Sequence, residues 1–132
     1  MRFDHWGLNV ADLDAAEAWY GEALGVRREV ALRIDPISMD VRMLLHPEHG
    51  YRLELLSREG AGGDAPADPA EAALRHGYGH VALSVDDLDA EHDRLVSLGA
   101  RSVMAPQPSP EPGVRMVFLA DPFGNLVELL QR

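Results

Sequence analysis

The chain has 132 residues, 46% of them apolar, with a net charge of −10 and no cysteine. That is enough for one compact domain or two small packed modules. It excludes disulfides, thiolate metal sites and a cysteine nucleophile, and without a basic cluster it argues against a nucleic-acid partner. No apolar run approaches the length of a membrane span, so a soluble, cytoplasmic protein with no membrane partner is expected.

Residues 2–10 alternate, with Trp6, Leu8 and Val10 on an apolar side and His5, Gly7 and Asn9 on the other. Asp12 or Asp14 can cap the helix that follows, with Asp14 and Glu17 at the spacing of a capping box. Leu13, Ala16, Tyr20 and Leu24 make its buried stripe, and Gly25 ends it. Alternation resumes from Val26 to Ile34, again from Ile37 to Leu45, and again from Tyr51 to Leu56. The first module is therefore strand, helix, strand, strand, strand, over residues 1–57.

Residues 58–78 are rich in Gly, Ala, Pro and Asp and predict a linker, with a short helical turn near Pro69–Arg75. The second module, residues 79–132, repeats the plan. Val81, Leu83 and Val85 face a helix running from Asp87 to Leu98 through Leu88, His92 and Leu95. Arg101–Ala105 predicts a short strand. The four prolines between Pro106 and Gly113 predict a stiff loop with little ladder bonding. Val114–Ala120 and Asn125–Leu130 are strands joined by Asp121-Pro122-Phe123-Gly124, a type I turn.

The two modules repeat one another in text as well as in plan. HWGLNVADLDA at residue 5 matches HVALSVDDLDA at residue 80, pairing His5 with His80, Leu8 with Leu83, Asp12 with Asp87 and Leu13 with Leu88. GYRLELL matches GNLVELL, pairing Glu54 with Glu128. One glutamate or histidine in a strand has a bland reading as a solvent-facing or structural residue. Equivalent pairs in two copies of one unit point instead to a shared centre. Two imidazoles and two carboxylates make a nitrogen and oxygen donor set suited to Zn, Ni, Co, Mn or Fe.

HWGLNVADLDAAEAWYGEALGV, YRLELL, YGHVALSVDDLDA and DPFGNLVELL together resemble the vicinal oxygen chelate superfamily, the glyoxalase, bleomycin resistance protein and extradiol dioxygenase group. The resemblance implies an α+β fold of two βαβββ modules, whose paired curved mixed sheets form a metal-binding cleft, and a homodimer in many members. It implies His5, Glu54, His80 and Glu128 as ligands of one divalent metal per site, a set nearest that of glyoxalase I. Glyoxalases that use glutathione tend to carry arginine where this chain has Asn9, which puts glutathione in doubt.

The chemistry expected is that of an isomerase or lyase acting through an enediolate on a small substrate with vicinal oxygens, with Glu128 moving the proton and Glu54 as the symmetric acid or base. Two alternatives stand beside it: an Fe(II)-dependent ring-cleaving dioxygenase, and a non-catalytic drug- or metabolite-binding protein. Asn9, Arg33, Arg52, Arg115, Met39, Met43 and Phe123 are candidates for the substrate's surroundings, the arginines suiting an anion. His46 and His49 read as surface residues of a turn, and Trp6, Trp19 and Tyr20 as packing.

Overall fold

The computed structural model describes residues 1–132, which form two compact units, Met1–Gly63 and Asp64–Arg132. In the first, β1 (His5–Asn9) is followed by α1 (Leu13–Leu24), β2 (Arg27–Ile34), β3 (Met39–Leu45) and β4 (Arg52–Arg58). The sheet order is β1-β4-β3-β2, with β1 parallel to β4 and the other pairs antiparallel. The second unit opens with the four-residue helix α2 (Pro69–Ala72), and then β5 (Val81–Ser84), α3 (Leu88–Ser97), β6 (Arg101–Pro108), β7 (Arg115–Ala120) and β8 (Leu126–Gln131) repeat the order as β5-β8-β7-β6. Two four-stranded mixed sheets, each with one long helix, make an α+β fold.

Each helix starts and packs for reasons written in its sequence. Asp12 accepts from the Ala15 amide at 3.0 Å, and Asp87 accepts from the Ala90 amide at the same distance. Asp12 is thus the cap of α1. With Asp12 as the cap the third helical residue is Ala15, so Asp14 and Glu17 form no box, and the Glu17 carboxylate instead binds Arg28 and Arg42 from the sheet. Gly25 ends α1 at φ 72°, a left-handed conformation that favours glycine.

In the first unit, Ala16, Tyr20 and Ala23 of α1 are buried, as are Leu44, Leu53 and Leu55 of the sheet. In the second, Leu88 and Leu95 of α3 are buried with Val117, Leu119 and Leu129. One face of each sheet therefore carries the core beneath its helix, and strand alternation turns the intervening residues to the other face.

Two departures from sequence expectation have plain causes. The strand expected to stop at Ala105 runs on to Pro108. Strand β6 lies at the sheet edge and its register slips between Ser102 and Met104 and again between Met104 and Gln107, so Pro106 and Pro108 are accommodated where ladder donors are dispensable. Strand β2, read as an ordinary alternating strand, is exposed along its whole length because it too is an edge.

The later part of the linker is fastened to the second unit. Asp68 caps α2 through the Glu71 amide at 2.8 Å, Glu71 accepts from the Ala67 amide at 2.7 Å, and Ala72 joins Ala120 and Leu126 in a small apolar cluster.

Candidate functional site

The two histidines and two glutamates arrive as two pairs, one in each unit. In the first, Gly7 of β1 lies opposite Glu54 of β4, which puts His5, Gly7 and Glu54 on the face turned away from the buried leucines. His5 Nε2 is 3.6 Å from Glu54 Oε2. In the second, Ala82 lies opposite Glu128, and His80 Nε2 is 3.3 Å from Glu128 Oε2. Glu54 and Glu128 side chains are 25% and 14% exposed, so both carboxylates are largely sheltered, and each faces an imidazole rather than an arginine.

The spacing suits a shared cation. Two donors held at about 2.1 Å by one tetrahedral Zn-sized ion sit about 3.4 Å apart along an edge of the shell. The observed separations fall on either side of that value. In both pairs the nitrogen presented to the carboxylate is Nε2, and for His5 the reason is visible: its Nδ1 is 2.8 Å from Asp4 Oδ1. A carboxylate only accepts, so Nδ1 carries the proton and Nε2 keeps its lone pair for a metal, an arrangement common behind metal-binding histidines. The hydrogen bond to His5 also holds the Asp4 carboxyl below its ordinary value. His80 is oriented differently, by the edge-on ring of Phe118 at 5.0 Å.

Each unit brings together one histidine and one glutamate. No group of three or more His, Asp or Glu side chains is gathered for a metal ion. The donor set fits a divalent metal in kind and spacing, and each unit supplies two members of it.

The other residues singled out from sequence divide between the faces. Asn9 and Arg52 share the Glu54 face, with Asn9 opposite Leu56 and Arg52 opposite His5. Arg52 is not free to meet an anion: Glu29 holds it at 2.7 and 3.0 Å, and that bond lowers the Glu29 pKa and raises that of Arg52. Phe123 lies in the turn before β8, its amide donating to Asp121 at 2.9 Å.

Arg115 lies on the other face. Its neighbours Val117 and Leu119 point into the α3 core, and Arg115 follows their parity, pairing with Asp89 at 2.6 and 3.0 Å on the face opposite Glu128. Arg33 is likewise held by Asp40 and Asp35. His92, on the helix side, bonds Ser102 at 2.9 Å.

Sequence reasoning passed over Asp4, Phe118 and Glu29. Asp4 had a signal, an acid directly before a strand histidine. Position 79, its counterpart in the second copy, is glycine. Phe118 stands beside Glu128 through register, whereas Glu29 reaches Arg52 from the irregularity of β2 across the intervening β3.

Comparison with known proteins agrees with this fold. Residues 2–129 match the Glyoxalase/Bleomycin resistance protein/Dioxygenase superfamily. A relative from Cereibacter sphaeroides named ethylmalonyl-CoA/methylmalonyl-CoA epimerase is 33% identical over 98% of this chain and 97% of its own length. A probable lactoylglutathione lyase from Vibrio cholerae is 27% identical, covering 98% of this chain and 90% of that one. Among solved structures, a glyoxylase/bleomycin resistance protein/dioxygenase domain from Frankia sp. superposes with a TM-score of 0.75 at 27% identity, over 99% of this chain and 91% of that one. No helix of the chain is long and apolar enough to cross a membrane. The chain belongs to the glyoxalase, bleomycin resistance protein and dioxygenase superfamily.

Proposed function

We propose that the protein is a metal-dependent enzyme of the glyoxalase type, an isomerase or lyase that moves a proton at the carbon beside a carbonyl in a small substrate with vicinal oxygens. One observation carries this reading above the others: the same His Nε2 and Glu Oε2 pairing occurs at 3.6 Å in one unit and 3.3 Å in the other. The names of two relatives, a lyase and an epimerase, are those of such chemistry. The setting is cytoplasmic.

His5, Glu54, His80 and Glu128 would hold the metal in a homodimer, the site closing either within one chain or between two. When bound, the metal polarises the substrate carbonyl and makes its neighbouring C–H more acidic. Glu128, the more sheltered carboxylate, accepts the proton at its Oε atom, and Glu54 is the symmetric acid or base. Asp4 fixes the His5 ring, Phe118 packs edge-on against His80, and Asn9 and Phe123 lie beside the substrate.

Metal analysis of untagged protein tests the reading. About one equivalent of Zn or Ni per chain is expected, retained more weakly by Glu54→Gln in equilibrium dialysis. Iron with oxygen uptake would instead establish ring-cleaving oxygenation, and protein that takes up no divalent metal would leave a binding module. In a screen of α-hydroxycarbonyls and acyl thioesters on metal-loaded protein, Glu128→Gln is expected to abolish turnover with the fold intact. Full turnover in that variant would remove Glu128 from the mechanism.

A further inference from the structure

Three polar side chains outside the histidine–glutamate pairs are linked in series within the second unit. Ser102 of β6 lies opposite Leu119, which is buried beneath α3, so its side chain stands on the helix face, away from Glu128. There Ser102 Oγ is 2.9 Å from His92 Nε2, and His92 Nδ1 is 2.9 Å from Asp93 Oδ1.

What each group can do fixes the direction of these bonds. A carboxylate only accepts, so in the neutral ring Nδ1 carries the proton and Nε2 keeps a lone pair. Ser102 Oγ then donates to that lone pair. Nucleophile, base and orienting acid therefore follow one another in the order that activates a serine hydroxyl.

Burial agrees with those parts. The His92 side chain is only 16% exposed, whereas Ser102 is exposed and open to an incoming molecule. The strand register slips between Ser102 and Met104, an irregularity of the kind that re-aims a side chain. Asp93 is 84% exposed, so it sets the ring's tautomer while its charge is screened by water.

We propose that Ser102, His92 and Asp93 form a second, metal-independent reactive site, at which Ser102 accepts acyl groups from small aryl esters. As Ser102 Oγ bonds the ester carbonyl carbon, His92 Nε2 takes the hydroxyl proton. The C–O bond to the aryl group then breaks, and His92 gives the proton to the departing phenol oxygen. Water next attacks the acyl-serine, its proton passing to His92 and on to Oγ as the C–Oγ bond breaks. Ester and water thus become acid and phenol. General-base help from one imidazole contributes about 10²–10⁴-fold, a range suited to aryl esters because their leaving group needs little assistance.

Acetylation by 4-nitrophenyl acetate tests the proposal on the purified protein, with and without EDTA. The chain has no cysteine and no lysine, so neither a thiol nor a side-chain amine competes for the acetyl group. Peptide mapping after an acid quench is expected to find acetyl on Ser102, and nitrophenol release should be the same in EDTA. Ser102→Ala, a small change at an exposed edge position, should abolish that label and cut release by about 100-fold or more. His92→Gln should do the same, and Asp93→Asn should cost several-fold. Acetyl found only on the amino terminus or on histidine rings, or release undiminished in Ser102→Ala, overturns the proposal and leaves plain imidazole catalysis. Release abolished by EDTA also overturns it, by assigning the hydrolysis to the proposed metal centre.

Discussion

Asp4 Oδ1 stands 2.8 Å from His5 Nδ1, on the far side of the imidazole from Glu54. That bond selects the tautomer whose Nε2 lone pair is available. Asp4→Asn keeps the size but can offer its amide to the ring instead, which favours the wrong nitrogen for protonation. Loss of such a partner weakens metal binding by about tenfold or more. Competition with a chromophoric chelator should show it, with the circular dichroism spectrum unchanged. An unaltered affinity would mean the bond serves only the strand end.

The two pairs lead to a second prediction, about which copy supplies which ligand. Glu54→Gln and Glu128→Gln should each be inactive alone. In a homodimer with sites shared between copies, mixing the two after reversible dissociation creates heterodimers with one intact site. Random pairing then restores about a quarter of wild-type activity. A site closed within one chain regains nothing, so the mixing curve decides between the two arrangements.

Gly124 is the most crowded glycine of the second unit. Its φ is 93°, and a Cβ there would lie 2.8 Å from the Cβ of Ala65. The turn it closes is held by buried Asp121, which accepts from the Phe123 and Asn125 amides at 2.9 and 2.7 Å. Gly124→Ala is expected to lower stability by about 1–3 kcal/mol, from backbone strain with crowding added. Urea denaturation measures it. A smaller loss would show that the segment around Ala65 yields at little cost.

Arg115 and Arg52 give a contrast. Arg115→Gln breaks a pair with Asp89 on the α3 face and should leave zinc affinity unchanged, since exposed pairs contribute little. Arg52→Gln releases Glu29 on the Glu54 face. An unpartnered carboxylate there should raise zinc affinity modestly, by attraction to the cation. Equal effects from both substitutions would contradict the assignment of the two arginines to different faces.

Much of this was legible in the chain itself. The duplicated text around His5 and His80, and around Glu54 and Glu128, carries two modules, their element order and the ligand candidates. Alternation correctly separates His5 from Trp6 and Glu54 from Leu53 and Leu55, because a strand's side-chain period does not depend on its partners. Capping is similarly local, and Asp12 and Asp87 serve as the text suggests. Proline misled: the run from Pro106 forbids a central strand but not an edge, and edge status is a property of the sheet.

The amino-acid order alone determined the repeat, the class of fold and the family, since all three rest on local pattern. Only the tertiary structure decided which cations are free. Arg52 and Arg115 look alike in sequence, yet the sheet order gives one to Glu29 across β3 and helix packing gives the other to Asp89. Pairing across a sheet joins residues through space, and no short stretch of text records which residues those will be.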